Sequence, residues 1–266
     1  MRYLVPGGEK PVYFASQGGA DAALDIGAEF EERAVAIHDA RLLRPPATLD
    51  REGFTLLRHP TQVADFYALN GGRASYEAEI AELVLTASGG AEALVFDHTL
   101  RSDSRDIRGV RRSREAASVI HNDYTDASAI KRLHDLLPPA EAERRLQSRF
   151  AIVNVWRSIA GTVLTSPLAC CDAATVQHGD LIAAERRAAD RIGELQLVRW
   201  NPAHRWYYFP EMGRDEVLLI KTFDSAVDGP ARRSIHTAFA NPLAPPDAAA
   251  RESMESRLLV FFQPDA

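Results

Sequence analysis

The sequence predicts an α+β fold on a double-stranded β-helix, a jelly-roll or cupin-like core with flanking helices. Short apolar runs of four to eight residues recur after residue 92, rich in Val, Ile, Leu, Phe and Tyr. Too few helical segments lie between them for a parallel sheet, which needs a crossover helix after nearly every strand. The 266 residues are 46% hydrophobic and 26% charged. That is the composition of a globular domain, at a length where single β-barrels are common.

The expected organisation is one domain over residues 1–266, with a flanking layer at 1–90 and the core, with helical insertions, at 91–266. In the flanking layer, Asp39-Ala40-Arg41 precedes Pro45-Pro46 and a strand-like run at 53–57. Tyr76, Ile80, Leu83 and Val84 then recur at helical spacing across 74–87, and Gly89-Gly90 is the expected stop. Core strands are expected at 93–96, 117–124, 150–156, 167–171, 205–209, 217–223, 234–239 and 257–262. Asp126 is placed to cap a helix carrying Ile130, Leu133 and Leu137, with a further turn or two at 141–146. Asp180 is read the same way, capping a helix over 181–195 that carries Leu181, Ile182, Ala188 and Ile192.

Charge and composition exclude several classes. Lys+Arg 31 against Asp+Glu 37 gives a net charge of −6, opposite to what a phosphate backbone attracts. No apolar stretch approaches the ~18 residues of a membrane-spanning helix, and Pro6, Gly7 and Gly8 stand where a signal peptide carries its apolar run. The adjacent Cys170 and Cys171, the only two cysteines, make neither a disulfide framework nor a cysteine-rich zinc site. The reading is a soluble cytoplasmic protein whose partner is a small molecule, not a nucleic acid or a membrane; a homo-oligomer is left open. No G-x-G-x-x-G follows a strand, and there is no P-loop, G-x-S-x-G or H-E-x-x-H.

The histidines carry the remaining chemistry. A non-haem iron site of two histidines and one carboxylate needs three ligands on one side of the metal and open positions opposite. A strand supplies two of them as His-x-Asp, because residues i and i+2 point to the same side. The pattern occurs twice. His121-Asn122-Asp123 follows the strand-like Val119-Ile120, whereas in His178-Gly179-Asp180 the glycine opposes a strand and the aspartate suits a cap. His121 and Asp123 are therefore preferred. His236, in the seventh expected strand, is the preferred third ligand because strand seven neighbours strand two in a closed eight-stranded double sheet; His204 is the reserve.

Taken with their order and spacing, these segments resemble the CmcJ/AsaB/NvfI-like family of non-haem iron oxygenases, which includes gibberellin desaturase-like proteins. The matching pieces are Val95 to Thr99, His121 to Thr125, Asn154 to Arg157, Pro167-Leu168-Ala169 with Asp172, His204 to Met212, and Glu216 through Lys221 to Ser225. His236 to Phe239 with Pro242, and Arg251 to Arg257, complete the set, so the likeness covers about residues 30–262. It implies Fe(II), 2-oxoglutarate as co-substrate, and O2, for hydroxylation or desaturation of a small organic molecule in secondary metabolism.

On this resemblance the far carboxylate of 2-oxoglutarate needs a cation, and the planar fork of arginine suits it. Arg257 is the first choice and Arg251 the second; Asn154, Arg157 and Lys221 are further co-substrate candidates. Tyr124 and Trp156 are expected to line the substrate pocket. The arginine-rich stretch from Arg101 to Arg114 forms a lid, attracts an acidic substrate, or is simply a solvated surface. His98 stands among the substrate candidates with Arg101, although His98, His59 and His38 also read as hydrogen-bonded structural histidines. The competing readings are a non-catalytic small-molecule-binding β-barrel with a structural or decayed metal site, and a hydrolase or isomerase using another metal.

Overall fold

The computed structural model describes residues 1–189, 191–228 and 231–263. Among these residues a strand forms within every expected core run, although in 117–124 it is confined to His121–Asn122, and the eight divide equally between two sheets. The major sheet is antiparallel, in the order Phe54–Arg58, Glu216–Asp224, Phe150–Ser158, Glu252–Phe261 and Glu92–Ser102. The minor sheet contains, side by side, His121–Asn122, His236–Ala238, Leu168–Cys171 and Trp206–Tyr208. Core strands one, three, six and eight thus share one sheet, and two, seven, four and five the other. This is the alternation of a double-stranded β-helix, as expected.

The three central major-sheet strands bury both faces; all nine residues of Phe150–Ser158 are buried. Outward, Val153, Val155, Leu219, Leu258 and Val260 pack beneath the helix Arg73–Ser88 through Tyr76, Ile80 and Val84. Each such side chain contributes roughly 1.5–3 kcal/mol of burial. That helix stops at Gly89, whose φ of +71° carries its N–H back to the Leu85 carbonyl. Inward, Ile152, Phe223, Leu259 and Phe261 close one end of the barrel against the helix Asp126–Leu136. Its cap is Thr125, one residue before the expected Asp126, in a reciprocal pair with Ser128.

The expected helix over 181–195 is instead an antiparallel hairpin, Leu181–Arg187 with Ile192–Val198, in register from Leu181–Val198 to Arg187–Ile192. Alanine content at 183–189 favours a helix locally, but pairing with the minor sheet overrides it. A period of two was present: Leu195 and Leu197 are buried with Leu4 and Val119, while Glu194 and Gln196 bond Thr125 and Asn122 on the other side. Asp180 caps no helix over 181–195; its carboxylate accepts from the Gln177 N–H, closing the 3-10 turn His178–Asp180, and from Asn201.

The first 60 residues are more regular than their sequence suggests. Besides the expected run at 53–57, which forms the edge strand Phe54–Arg58 of the major sheet, Val12–Phe14 extends the minor sheet beside Leu181–Arg187 and Ile37–Asp39 runs parallel to Trp206–Tyr208. Two of these strands have three residues, too few for alternation to show. No helix among the described residues is long and apolar enough to cross a membrane.

Candidate metal centre

The register of the minor sheet brings His236 directly opposite His121, with ring centroids 4.5 Å apart. Asp123 follows the short strand His121–Asn122 and returns its Oδ1 to within 3.5 Å of His121 Nε2. One ligand atom from each of His121, Asp123 and His236 lies within 4.8 Å of the other two. His121 and His236 are both buried.

The hydrogen bonds around this triad test whether it suits a metal. His121 Nδ1 is 2.8 Å from the Val119 carbonyl, and His236 Nδ1 is 3.2 Å from the Ser234 carbonyl. A carbonyl can only accept, so each ring carries its proton on Nδ1 and presents the Nε2 lone pair. Asp123 is fixed in the same sense: its Oδ2 accepts from Arg257 Nε at 2.9 Å and Asn154 Nδ2 at 2.8 Å, leaving Oδ1 on the histidine side. Rings tied through the far nitrogen and a carboxylate tied through the far oxygen form the outer shell that orients metal ligands. The donor set fits a divalent iron.

Protonation agrees. Burial and the neighbouring His121 push His236 down to about 4, so its imidazole is neutral at pH 7. Burial alone would raise Asp123, but Arg257 and the two histidines hold it well below the usual carboxylate range.

The other candidates divide by strand parity. In Glu252–Phe261, Ser253, Glu255 and Arg257 alternate with Met254, Ser256 and Leu258. Arg257 faces the triad, but its guanidinium is already engaged: besides Asp123 it donates to Asp97 at 2.7 Å, Thr99 at 3.2 Å and Glu255 at 2.5 Å. Asn154 bridges Asp123 and Glu255. Arg251 is buried, donates to the Ser166 carbonyl at 2.6 Å, and leaves Nε without a hydrogen-bond partner.

Arg157 lies on the opposite side of the sheet, over the rings of Phe66 and Tyr76 and beside His59. His98 also faces outward, held by Ser256 and by Glu77 of the long helix. Lys221 is paired with Asp50 and Asp224. Trp156 is buried in an apolar cluster with Phe54, Leu168 and Met212, its ring 5.7 Å from Arg251. His204, the reserve ligand, is held by Asp180 at 3.2 Å and Tyr3 at 3.3 Å.

A narrow cavity of about 70 Å³ adjoins the triad, walled by His121, Asp123, Tyr124 and Arg257. Arg101 and Arg114 of the arginine-rich stretch reach it, whereas Arg105 pairs with Asp21 and Arg111 lies over Tyr67. Tyr13 and Arg186 also line it, and no sequence motif points to either. Tyr13 comes from a three-residue strand with no readable pattern; Arg186 comes from the hairpin expected as a helix. Glu255 was findable, since it stands two residues from Arg257 on the same face.

A family model described as "Oxidoreductase/YMDC permease-like domain" matches residues 1–261. The chain is 32% identical over 261 residues to the hydroxylase/desaturase CTB9 of Cercospora beticola, covering 88% of this chain and 78% of that one. It is 33% identical over 240 residues to the Fe(II)/2-oxoglutarate-dependent dioxygenase nvfI of Aspergillus novofumigatus, covering 85% and 82%. The solved structure of the iron and alpha-ketoglutarate-dependent endoperoxidase NvfI superposes with a TM-score of 0.84 at 29% identity, over 98% of this chain and 96% of the other.

Proposed function

The chain belongs to the CmcJ/AsaB/NvfI-like family of non-haem Fe(II)- and 2-oxoglutarate-dependent oxygenases, and from that membership we propose that His121, Asp123 and His236 hold its iron. It is a dioxygenase of the hydroxylase/desaturase class, acting on a small organic molecule in secondary metabolism. The observation that carries the site assignment is that both imidazoles and the carboxylate are tied through their far atoms, so that three lone pairs converge.

When bound, Fe(II) with 2-oxoglutarate and O2 supplies an oxidant that removes hydrogen from a C–H bond, while 2-oxoglutarate leaves as succinate and CO2. The chain's own part is positioning. His121 and His236 would hold the ion through Nε2 and Asp123 through Oδ1, a facial set that would leave positions for the co-substrate and O2. Arg257 and Asn154 hold Asp123 from behind. Arg257 has its guanidinium committed to carboxylates, which favours Arg251 for the far carboxylate of 2-oxoglutarate. Arg251 is a buried cation with an idle Nε and no ion pair within 4.0 Å among the described residues. Tyr124 and Arg101 wall the cavity, Tyr124 as an apolar surface that keeps water from the reacting carbon. The buried free thiols Cys170 and Cys171 support a reducing, cytoplasmic setting.

Anaerobic reconstitution followed by metal analysis tests the assignment. Binding near one iron per chain and succinate release from 2-oxoglutarate alone are expected, both lost in His121→Ala. A His121→Ala protein that keeps iron and turnover would overturn it.

A further inference from the structure

We propose that the cavity beside the triad binds an organic carboxylate, so that the substrate of this oxygenase is an acidic small molecule held by Arg101, Arg114 and Arg186. The inference rests on the metal-centre reading above and adds the class of substrate.

Charge counting motivates it. The cavity is lined by six cationic side chains and four carboxylates. Those carboxylates are spoken for: Asp97 and Asp123 by Arg257, Asp135 by Lys131, and Glu194 by Lys10. Among the described residues Arg101, Arg114 and Arg186 form no salt bridge, and all three are half-buried. Arg101 donates one bond, to the Glu115 carbonyl at 2.9 Å. Glu115, buried nearby, forms no ion pair either, and its Oε2 lacks a partner. The excess of two positive charges in the lining persists when the site is loaded, because a ferrous dication and a 2-oxoglutarate dianion cancel.

The arginines also disfavour one another. Burial, and then Arg101, hold Arg114 below the usual guanidinium range; burial, then Arg257 and Arg191, do the same to Arg186. An arginine does not shed its proton at working pH, so this repulsion is relieved by an anion and not by titration. The three come from separate elements: Arg101 from Glu92–Ser102, Arg114 from the segment after the helix Arg105–Arg111, and Arg186 from the hairpin. Tyr13 lines the same wall. A carboxylate anchored there lies beside His121 and Asp123, where its carbon skeleton meets the reacting position.

The probe is benzoate, with neutral benzamide as its isostere, titrated calorimetrically into anaerobic Fe(II)- and 2-oxoglutarate-loaded protein and, in parallel, into metal-free protein. Preference for benzoate over benzamide is expected in both. Arg114→Gln and Arg186→Gln should each weaken benzoate about tenfold, the worth of one charge-assisted hydrogen bond. The half-saturating 2-oxoglutarate concentration for succinate release should stay within about twofold. Arg186→Lys, which keeps the charge, should retain most of the affinity, separating recognition from a folding defect. Equal binding of benzoate and benzamide, or benzoate affinity unchanged in both glutamine variants, overturns the proposal. So does a tenfold rise in the 2-oxoglutarate requirement, which would make these arginines the co-substrate's. A wild type that prefers benzoate when metal-free yet takes up no iron would refute the metal reading and leave the anion site standing.

Discussion

Replacing Arg257 with glutamine separates two roles that the sequence alone could not. The guanidinium sits among three carboxylates, Asp97, Asp123 and Glu255, and donates to each within 3.0 Å. Three charge-assisted bonds at roughly 1.5–3 kcal/mol each give a gross loss of about 5–9 kcal/mol. Proton uptake by the stranded carboxylates and entering water recover part of this. The net cost is then about 3–5 kcal/mol, the usual range for removing one partner of a buried ion pair. At roughly 2–4 °C per kcal/mol for a chain of this size, the midpoint of thermal unfolding should fall by about 10 °C. Iron affinity without 2-oxoglutarate should fall about 10–100-fold, because Asp123 Oδ2 loses its strongest anchor. If Arg257 served the co-substrate instead, iron binding would hold and only the 2-oxoglutarate requirement would rise. Metal titration of Arg257→Gln before and after 2-oxoglutarate addition decides; unchanged iron affinity with a raised co-substrate requirement refutes the positioning role.

Other outcomes follow from single contacts. Arg251→Gln should raise the half-saturating 2-oxoglutarate concentration about tenfold or more in uncoupled succinate assays while leaving iron affinity within about threefold. Gly53 has φ +85°, and an added Cβ would stand 2.9 Å from the Ser234 Cβ; Gly53→Ala should cost about 2 kcal/mol in urea unfolding. Ile80→Ala, deleting a fully buried side chain of the long helix, should cost about 2–5 kcal/mol. Burial opposes ionisation of Asp224, but Arg149 and Lys221 hold its carboxyl below the usual range. Its stabilisation is therefore present above the unfolded value near pH 3.9 and lost as pH falls through the folded one. Asp224→Asn should cost about 3 kcal/mol at pH 7, and the gap to wild type in urea midpoints should close toward pH 3.

The architecture was legible because each core strand carries enough apolar residues to announce itself and because strand order in a double β-helix is constrained. That is how His236 could be set beside His121 across more than a hundred residues. The hairpin Leu181–Arg187 and Ile192–Val198 was illegible for a local reason: an alanine- and arginine-rich stretch has good helix propensity, and only pairing with Val12–Phe14 and His121–Asn122 makes it a sheet. The same error concealed Arg186. Arg257 was read as the arginine for 2-oxoglutarate, and sequence cannot show that Asp97, Asp123 and Glu255 already surround it. Arg157 and His98 lie on the outer faces of their strands, a distinction that turns on parity and becomes readable only once the register is known.

The two sheets hold different parts of the site, and their lengths explain why. The strands bearing His121 and His236 have two and three residues, too short to fix side-chain directions through their own ladder. The opposing strands bearing Asn154, Glu255 and Arg257 have nine and ten residues, paired along most of their length and packed on both sides. Rigidity is therefore supplied from across the barrel, through Asn154 and Arg257 to a single oxygen of Asp123. Asn154→Ala removes one of those two ties and leaves a small void, without stranding a charge. It should weaken iron about tenfold and shift thermal unfolding far less than Arg257→Gln. Loss of iron affinity in proportion to loss of stability across both variants would mean that the short strands position the ligands unaided, and the cross-barrel account would fail.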